Sequence, residues 1–177
     1  MRFLALLMAT CCLYAQSANQ SAEGYLTYGN EILNSVQVNG FVTLNGTTIL
    51  QQLQVNGSLS AHQAQIGEMM VNGQASLNSC TVKNKSTVIG SLSAMLSTFN
   101  NEITLTSDHS AFDGCTIASI RVSKNKNSSI PPMIELKGKT KVTGLITFES
   151  GNGQVMASPD SQISAAQIAG GTLQKGL

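Results

Sequence analysis

Apolar and polar residues alternate in short runs along this chain, and the runs recur about every 17 residues, a period typical of repeat proteins. The tripeptide Val-Asn-Gly opens the repeat at Val38, Val55 and Val71. Weaker copies keep the spacing further along: Val88-Ile89-Gly90, Leu105-Thr106-Ser107 and Val122-Ser123-Lys124. A repeat of this length, built from β-forming residues, predicts a solenoid in which each repeat makes one coil.

Aligning the repeats on this valine produces columns of apolar residues. Within each group of columns the apolar positions alternate with polar ones, which is the period of a strand with one buried face. The column two positions before the valine holds Val36, Leu53, Met69, Ser86, Ile103 and Ile120. The later columns hold Val42, Leu59, Ala75, Leu92 and His109, then Leu44, Ala61, Leu77, Ala94 and Ala111, then Ile49, Ile66, Val82, Phe99 and Ile117.

Three corners separate these groups in each repeat. Glycine and asparagine supply the positive φ values that sharp bends need. The first corner is the Asn-Gly pair of the repeat motif, as at Asn39-Gly40. The second corner is formed by Asn45-Gly46, Asn78-Ser79 and Asp113-Gly114 in different repeats. The third corner is formed by Gly67-Glu68, Asn84-Lys85 and Asn100-Asn101. We therefore predict an all-β fold, a single-stranded triangular β-solenoid of about 17 residues and three short strands per coil, with a right-handed β-helix as the expected form.

The repeat also divides the chain into segments. We predict a signal peptide over 1–15, an off-register N-terminal cap over 16–35, regular coils over 36–122, a proline-containing insert loop over 123–133, and further coils with a C-terminal cap or tail over 134–177. Residues 142–148 match residues 38–44 position for position, so another coil is expected after the insert. Val155, Ile163 and Ile168 are expected to close a last, irregular coil.

The first residues have the composition of an export signal. One arginine precedes an apolar run over residues 3–14, which is too short to span a bilayer. Cleavage after Ala15 or Ser17 predicts an exported protein located in the periplasm, at the cell surface or in the medium. The alternative is a lipoprotein anchored through Cys11 or Cys12, although the residues before this pair match a bacterial lipobox poorly.

Composition narrows the classes of function. Charged residues make up only 11% of the chain, and the net charge is +1, so no electrostatic footprint for nucleic acid is present. The acidic residues are scattered singly, whereas β-helix enzymes that cleave sugars need paired carboxylates. Two histidines without clustered carboxylates do not predict a metal site. We therefore predict no catalytic, cofactor-binding or metal-ligating residues and no enzymatic activity.

Two features resemble sites but have simpler interpretations. Asp108, His109 and Ser110 are neighbours in one strand, where side chains alternate between faces and cannot form a catalytic relay. We expect His109 to be a structural residue in a core-facing column. Cys80 and Cys115 belong to coils two apart, about 9–10 Å from each other. That separation is beyond disulfide reach and predicts buried free thiols.

Outward positions hold polar ladders and a basic patch. The hydroxyl ladders are typical of exposed β positions that pair across coils, and ordering of water, ice or glycan is the alternative. They run through Thr43, Ser60, Ser76, Ser93 and Ser110, and through Thr48, Gln65, Thr81, Thr98 and Thr116. Lys137, Lys139 and Lys141 are expected to alternate on one strand face. They either bind an anionic envelope polymer or protect an exposed strand edge.

The stacked short strands with Val-x-Gly corners over residues 36–148 resemble bactofilins, bacterial cytoskeletal proteins. That resemblance implies a triangular β-helix that polymerises end to end, without nucleotide, through apolar terminal coils. The run from Val38 to Thr48 is also similar to repeats in phage tail fibres and bacterial surface adhesins, which often trimerise. We therefore expect an exported, non-enzymatic structural protein of the bacterial cell envelope that self-associates end to end. The alternative is a surface adhesin or a glycan-binding solenoid that contacts envelope polysaccharide.

Overall fold

The chain folds into a β-solenoid of about nine turns, with coils of about 17 residues. The structure is a computed structural model that describes residues 19–126 and 128–176, so the predicted signal peptide and Cys11 and Cys12 lie outside the described residues. A 3₁₀ turn, Ala165–Gln167, directly precedes the strand Ile168–Ala169. The strands are β1 Asn19–Tyr28, β2 Ile32–Leu33, β3 Ser35–Asn45, β4 Thr48–His62, β5 Gln65–Asn78, β6 Thr81–Val82, β7 Ser86–Met95, β8 Thr98–Thr106, β9 His109–Asp113, β10 Thr116–Val122, β11 Met133–Lys137, β12 Lys141–Val142, β13 Ile146–Phe148, β14 Gly153–Ala157, β15 Ile168–Ala169 and β16 Gly171–Lys175.

Parallel pairing between successive coils confirms the predicted columns over most of the stack. β3 pairs with β4, β4 with β5 and β5 with β7, so equivalent residues of neighbouring repeats lie directly beside each other. The column built on the repeat's valine is buried along its length and runs through Val38, Val55, Val71, Val88, Leu105 and Val122. The inward side chains of all faces form one continuous apolar core.

The first corner of each coil bends the chain without breaking the strand. β3, β4, β5 and β7 all pass through it, and the Asn-Gly pairs of β3, β4 and β5 and the Ile89-Gly90 pair of β7 stay in the hydrogen-bonded ladder. The side-chain amide of Asn56 donates to Oδ1 of Asn39 over 2.9 Å. The glycines of the first corner have φ between +96° and +141°. They form a column of Gly24, Gly40, Gly57, Gly73 and Gly90. A Cβ on Gly57 would overlap the carbonyl oxygen of Gly40, so close stacking requires glycine here.

The second corner turns through a single residue in the left-handed conformation. This position has φ between +50° and +70° and is held by Gly46, Gln63, Ser79, Leu96, Gly114 and Gly138. A small side chain then turns inward and is buried, in the order Thr47, Ala64, Cys80, Ser97, Cys115, Thr140 and Ser161. The hydroxyls in this column donate to carbonyl groups of the turn, as Thr140 Oγ1 does to Lys137 O over 2.6 Å.

Both described cysteines belong to this small-residue column and are free and buried, as predicted. Ser97 lies between them, and its Oγ accepts the backbone amide of Cys80 over 3.1 Å. Burial raises the pKa of both thiols above the usual value. The column therefore keeps Cys80 and Cys115 as inert core residues, because the thiolate is the reactive form.

The strand β9 is shifted by one residue from the predicted register. Ser110 and Phe112 occupy the inward columns that the sequence alignment assigned to His109 and Ala111. The corner between β8 and β9 contains one residue more than the corner before it, and one extra residue exchanges the two faces of a strand. The prediction that His109 faces the core is therefore wrong. Ser110 is buried instead of belonging to the exposed ladder, and Phe112 packs edge to face against Phe99.

A coil follows the insert, but Val142 lies on a different face from the one predicted. It stacks on Ile117 and Phe148 stacks on Val122, so this segment does not align with the segment that begins at Val38. The cause is Gly144, which serves the third corner, where a Cβ would approach the carbonyl oxygen of Ala118 to 2.6 Å. Glycine occurs at both corners, so the local pattern alone does not distinguish them.

The first described coil is in register with the next one, so the prediction that residues 20–34 are off-register is wrong, whereas their role as a cap stays a prediction. β1 pairs with β3 residue for residue, from Asn19 beside Ser35 to Tyr28 beside Leu44. β2 pairs with the start of β4 in the same way. At the other end Ile163 is buried and Ile168 packs on the core, so both contribute to a last coil, as predicted.

Candidate functional site

The three candidate lysines lie around the second corner of one coil and not along one strand face. Lys137 ends β11 and Lys141 begins β12, and Gly138 turns the chain between them with φ +54°. All three lysines, including Lys139 in the turn, are exposed. The corner therefore distributes the three charges over two faces, because the strand predicted to carry them is interrupted.

Lys137 is paired with an acidic residue. Its Nζ lies 2.6 Å from Oε2 of Glu135, and Nε2 of His109 lies 3.2 Å from Oε1 of the same carboxylate. The hydrogen bond from Lys137, supported by that from His109, holds the pKa of Glu135 below its usual value. Lys139 and Lys141 have no ion pair among the described residues, so they are the available charges at this corner.

Arg121, on β10, is also occupied by carboxylates. Its Nε lies 3.2 Å from Oε1 of Glu102 and its Nη2 lies 3.4 Å from Oε2, while Nη1 is 3.8 Å from Glu149. The guanidinium thus links acids from the coils on either side of it. The basic excess that the sequence shows from Arg121 onward is therefore partly neutralised within the protein.

The Asp-His-Ser tripeptide does not assemble into a triad. Oδ1 of Asp108 accepts a hydrogen bond from Asn125, and His109 points to Glu135. Ser110 is buried, and its Oγ contacts Oγ of Ser107 over 3.3 Å. Each side chain has a different partner because neighbours in the strand point in different directions.

The N-terminal end of the described stack is a strand edge. β1 pairs with β3 along one side, and no other strand of the described residues pairs with its second side. Leu26 is only partly buried there, although it packs on the core. Outside the coil, Tyr25 is 83% exposed and stacks on Phe41 with ring centroids 4.6 Å apart. This end therefore presents unpaired backbone groups together with apolar side chains.

The C-terminal end of the stack has the complementary arrangement. β15 pairs with β13 and β16 pairs with β14, and within the described residues no further strand covers them. Ile168 and Leu173 are partly buried on the core. Leu173 and Leu26 lie at opposite ends of the same inward column. Between them the paired strands place Leu59, Leu92, Ile134 and Val155 in that column. The two ends thus repeat one pattern at the same positions of the coil.

The Tyr25–Phe41 stack was not predicted from the sequence. The signal was present, because Gly24-Tyr25 occurs 16 residues before Gly40-Phe41 and continues the repeat upstream. Ala22 stands where later repeats have valine, so the Val-Asn-Gly motif does not mark this repeat. The pair places a flat aromatic surface on the outside of the first two coils.

The chain was compared with family models, curated proteins and solved structures. No family model, curated protein or solved structure matches the chain. No helix in the described part of the chain is long and apolar enough to cross a membrane.

Proposed function

We propose that this protein is an exported, non-enzymatic structural protein of the bacterial cell envelope that assembles end to end. The observation that carries the proposal is the shared register of the two ends. β1 and β16 each pair with one strand in the described stack and occupy the same face of the coil. The apolar leader over residues 3–14, which lies outside the described residues, supports export.

A second copy can continue the ladder without a change in geometry. If β1 of one copy pairs with β16 of another in the existing register, Leu26 lies beside Leu173 at the strand spacing of about 4.8 Å. Gln20 then lies beside Ile168, because both occupy the column of Val36 and Ile146. Edge strands readily pair with another chain unless something covers them, and solenoid ends need such protection.

Charge at the two ends favours this head-to-tail arrangement over head-to-head pairing. Glu23 and Glu31 are the charged residues of the first described coil, and Lys175 ends the last strand. Opposite charges brought together at an interface favour the correct orientation, whereas like charges disfavour it. A head-to-head dimer would place Glu23 and Glu31 near their own copies.

The test uses two variants, each blocked at one end. Leu26→Lys introduces a charge at the N-terminal end, and Leu173→Lys does so at the C-terminal end. The chain from residue 16 onward should sediment as a concentration-dependent series of oligomers and form filaments in electron micrographs. Each variant alone should be monomeric, and an equimolar mixture should stop at a dimer made through the two intact ends.

The control is Leu50→Lys, which changes an exposed leucine on the outside of the second coil, covered by the first coil, and should assemble like the parent. Wild-type chains that stay monomeric at all concentrations would overturn the proposal. Dimers of Leu173→Lys alone would show head-to-head association instead. Circular dichroism of all three variants confirms that the coils are intact.

A second candidate function is binding of an anionic envelope polysaccharide at the basic corner. It is favoured by Lys139 and Lys141, which carry exposed charges without an ion pair among the described residues. Changing both lysines to Glu should abolish retention on an anionic polysaccharide column at low salt. Changing Lys83 and Lys85, exposed at the third corner of another coil, to Glu is the matched control. Equal loss of retention in both double variants would indicate that retention depends on net charge and not on a specific site.

A further inference from the structure

The glycine column of the first corner ends after Gly90, and a cleft forms where it ends. The equivalent position in the next coil is Ser107, and the coil after that carries the insert over residues 123–132. Backbone hydrogen bonds hold both sides of the opening. Met133 N donates to Asp108 O over 2.9 Å, and Gln154 N donates to Pro132 O over 2.9 Å. The cleft is therefore framed by three successive corners of the solenoid.

The cleft has a volume of about 190 Å³ and a mostly polar lining. That volume corresponds to about six water molecules at liquid density. Hydroxyl, amide and carboxylate groups line it from the coil and from the insert, including Asp108, Ser128 and Asn152. Ile130 and Pro132 contribute an apolar part of the wall. A site of this size accommodates one small ring but not a folded peptide segment.

The polar groups of the lining differ in whether they are already occupied. Ser107 Oγ is hydrogen-bonded to both the amide and the carbonyl of His109. Asp108 accepts one hydrogen bond at Oδ1 from Asn125 over 3.2 Å, and a carboxylate accepts several. Ser150 lines the cleft with an Oγ that is buried and has no hydrogen-bond partner among the described residues. Because this atom is shielded from solvent, a ligand in the cleft does not reach it, and the remaining acceptor capacity lies at Asp108.

The chemistry of the lining favours a neutral polyol over other ligands. A phosphate or carboxylate ligand would meet the charge of Asp108, and Lys124 supplies only one opposing charge. A calcium ion requires several oxygen ligands at close range, and one carboxylate does not supply them. Hydroxyl and amide groups beside an apolar wall match a sugar ring, which has hydroxyls at its rim and C–H groups on its faces.

We propose that this cleft binds one ring of a neutral saccharide. Asp108 accepts hydrogen bonds from sugar hydroxyls, Asn152 offers its amide at the rim, and Ile130 with Pro132 packs against the face of the ring. The site lies at the first corner of the sixth to eighth coils, away from both ends of the stack. It is therefore independent of end-to-end assembly and of the basic corner.

The experiment measures binding of glucose, galactose, mannose and N-acetylglucosamine to the chain from residue 16 onward, each at millimolar concentration. At least one sugar should shift the amide resonances of Asp108, Asn125 and Asn152 in a ¹H–¹⁵N spectrum and should saturate. A β-linked oligosaccharide of the same sugar is tested in parallel. Equal affinity identifies a free sugar as the ligand, and binding of the oligosaccharide alone identifies a ring within a glycan chain.

Two variants make the result specific to the cleft. Asp108→Ala should weaken binding at least about tenfold, which is the usual range for a charged hydrogen-bonding group. Asp113→Ala, which removes the same side chain from an exposed position at the second corner, should leave it unchanged. Ser129→Trp places a large side chain on the rim and should block the cleft without touching the core.

The proposal is overturned if neither the four sugars nor their β-linked oligosaccharides perturb the cleft resonances. It is also overturned if Asp108→Ala, Asp113→Ala and Ser129→Trp all bind as the parent does. Sedimentation of the same samples scores assembly separately, so that failure of end-to-end association and failure of sugar binding are distinguished.

Discussion

Glycine at the first corner is required by contact between coils and not only by its torsion angle. A Cβ on Gly57 would overlap the backbone of Gly40 in the coil before it. We expect Gly57→Ala to lower the free energy of unfolding by about 3 kcal/mol, because overpacking against rigid backbone has no easy relief. Urea denaturation monitored by circular dichroism measures the change.

Gly24→Ala is the matched control for that substitution. Gly24 has φ +96°, yet an added Cβ would have no atom within 4 Å. The substitution should lower the free energy of unfolding only by the torsional penalty, about 1 kcal/mol. Equal losses in the two variants would show that torsion alone selects glycine in this column.

Leu96 is a second residue whose backbone conformation conflicts with its type. It has φ +50° at the second corner and its side chain is exposed. Asparagine tolerates the left-handed region better than leucine does. Leu96→Asn should therefore raise the free energy of unfolding by about 1 kcal/mol.

The control is Leu50→Asn, another exposed leucine, whose φ is not positive. It should be neutral or slightly destabilising, because asparagine is disfavoured in strands. If Leu96→Asn is no more stable than Leu50→Asn, strain at the second corner does not limit stability.

At the scale of the element, the carboxylate of Glu135 on β11 binds Lys137 of the same strand and His109 of the neighbouring strand β9. Lys137 and His109 lower the pKa of this group relative to its value in the unfolded chain. A lowered pKa contributes stability above the unfolded value, and that contribution is lost as the pH falls through the folded value. The interaction is therefore present at neutral pH and disappears in acid.

Glu135→Gln should reduce the free energy of unfolding by about 0.5–1 kcal/mol at pH 7. The difference from the parent should vanish below the folded pKa of Glu135, which lies under the usual value for glutamate. Thermal melts across this pH range measure it. Glu68→Gln, at an exposed carboxylate without an ion pair among the described residues, is the matched control and should leave the free energy of unfolding at pH 7 unchanged.

The inward-facing positions of the strands were predicted correctly in the first repeats and incorrectly in β9 and β12. From Val36 to Val88 the inward positions around the first corner keep the same spacing within each repeat, so the inward columns could be assigned from the pattern. One additional residue before Ser110 reversed the faces, and a glycine that serves another corner misplaced Val142. Local patterns contain no information about which neighbouring coil a strand pairs with.

At the scale of the whole molecule, the export signal predicted over residues 1–15 can be tested independently of the fold. When the full chain is expressed in a Gram-negative host, mass spectrometry of the product should find an N terminus at Gln16 or Ala18. Leu6→Arg, which interrupts the apolar run, should leave the precursor uncleaved inside the cell.

The alternative to simple export is lipidation, and the same measurement detects it. A product that begins at Cys11 or Cys12 and carries the mass of acyl chains would show an anchored lipoprotein. An uncleaved wild-type chain in the cytoplasm would contradict export in either form.

The sequence alone determined the fold class, the length of the coil and the burial of Cys80 and Cys115, because these follow from a period that each repeat carries within itself. The tertiary structure alone decided the face of His109, the ion pairs of Lys137 and Arg121, and the similarity of the two ends. Those properties depend on which residues of other coils lie beside them. The number of residues at a corner sets that neighbour, and a change of one residue exchanges inside for outside.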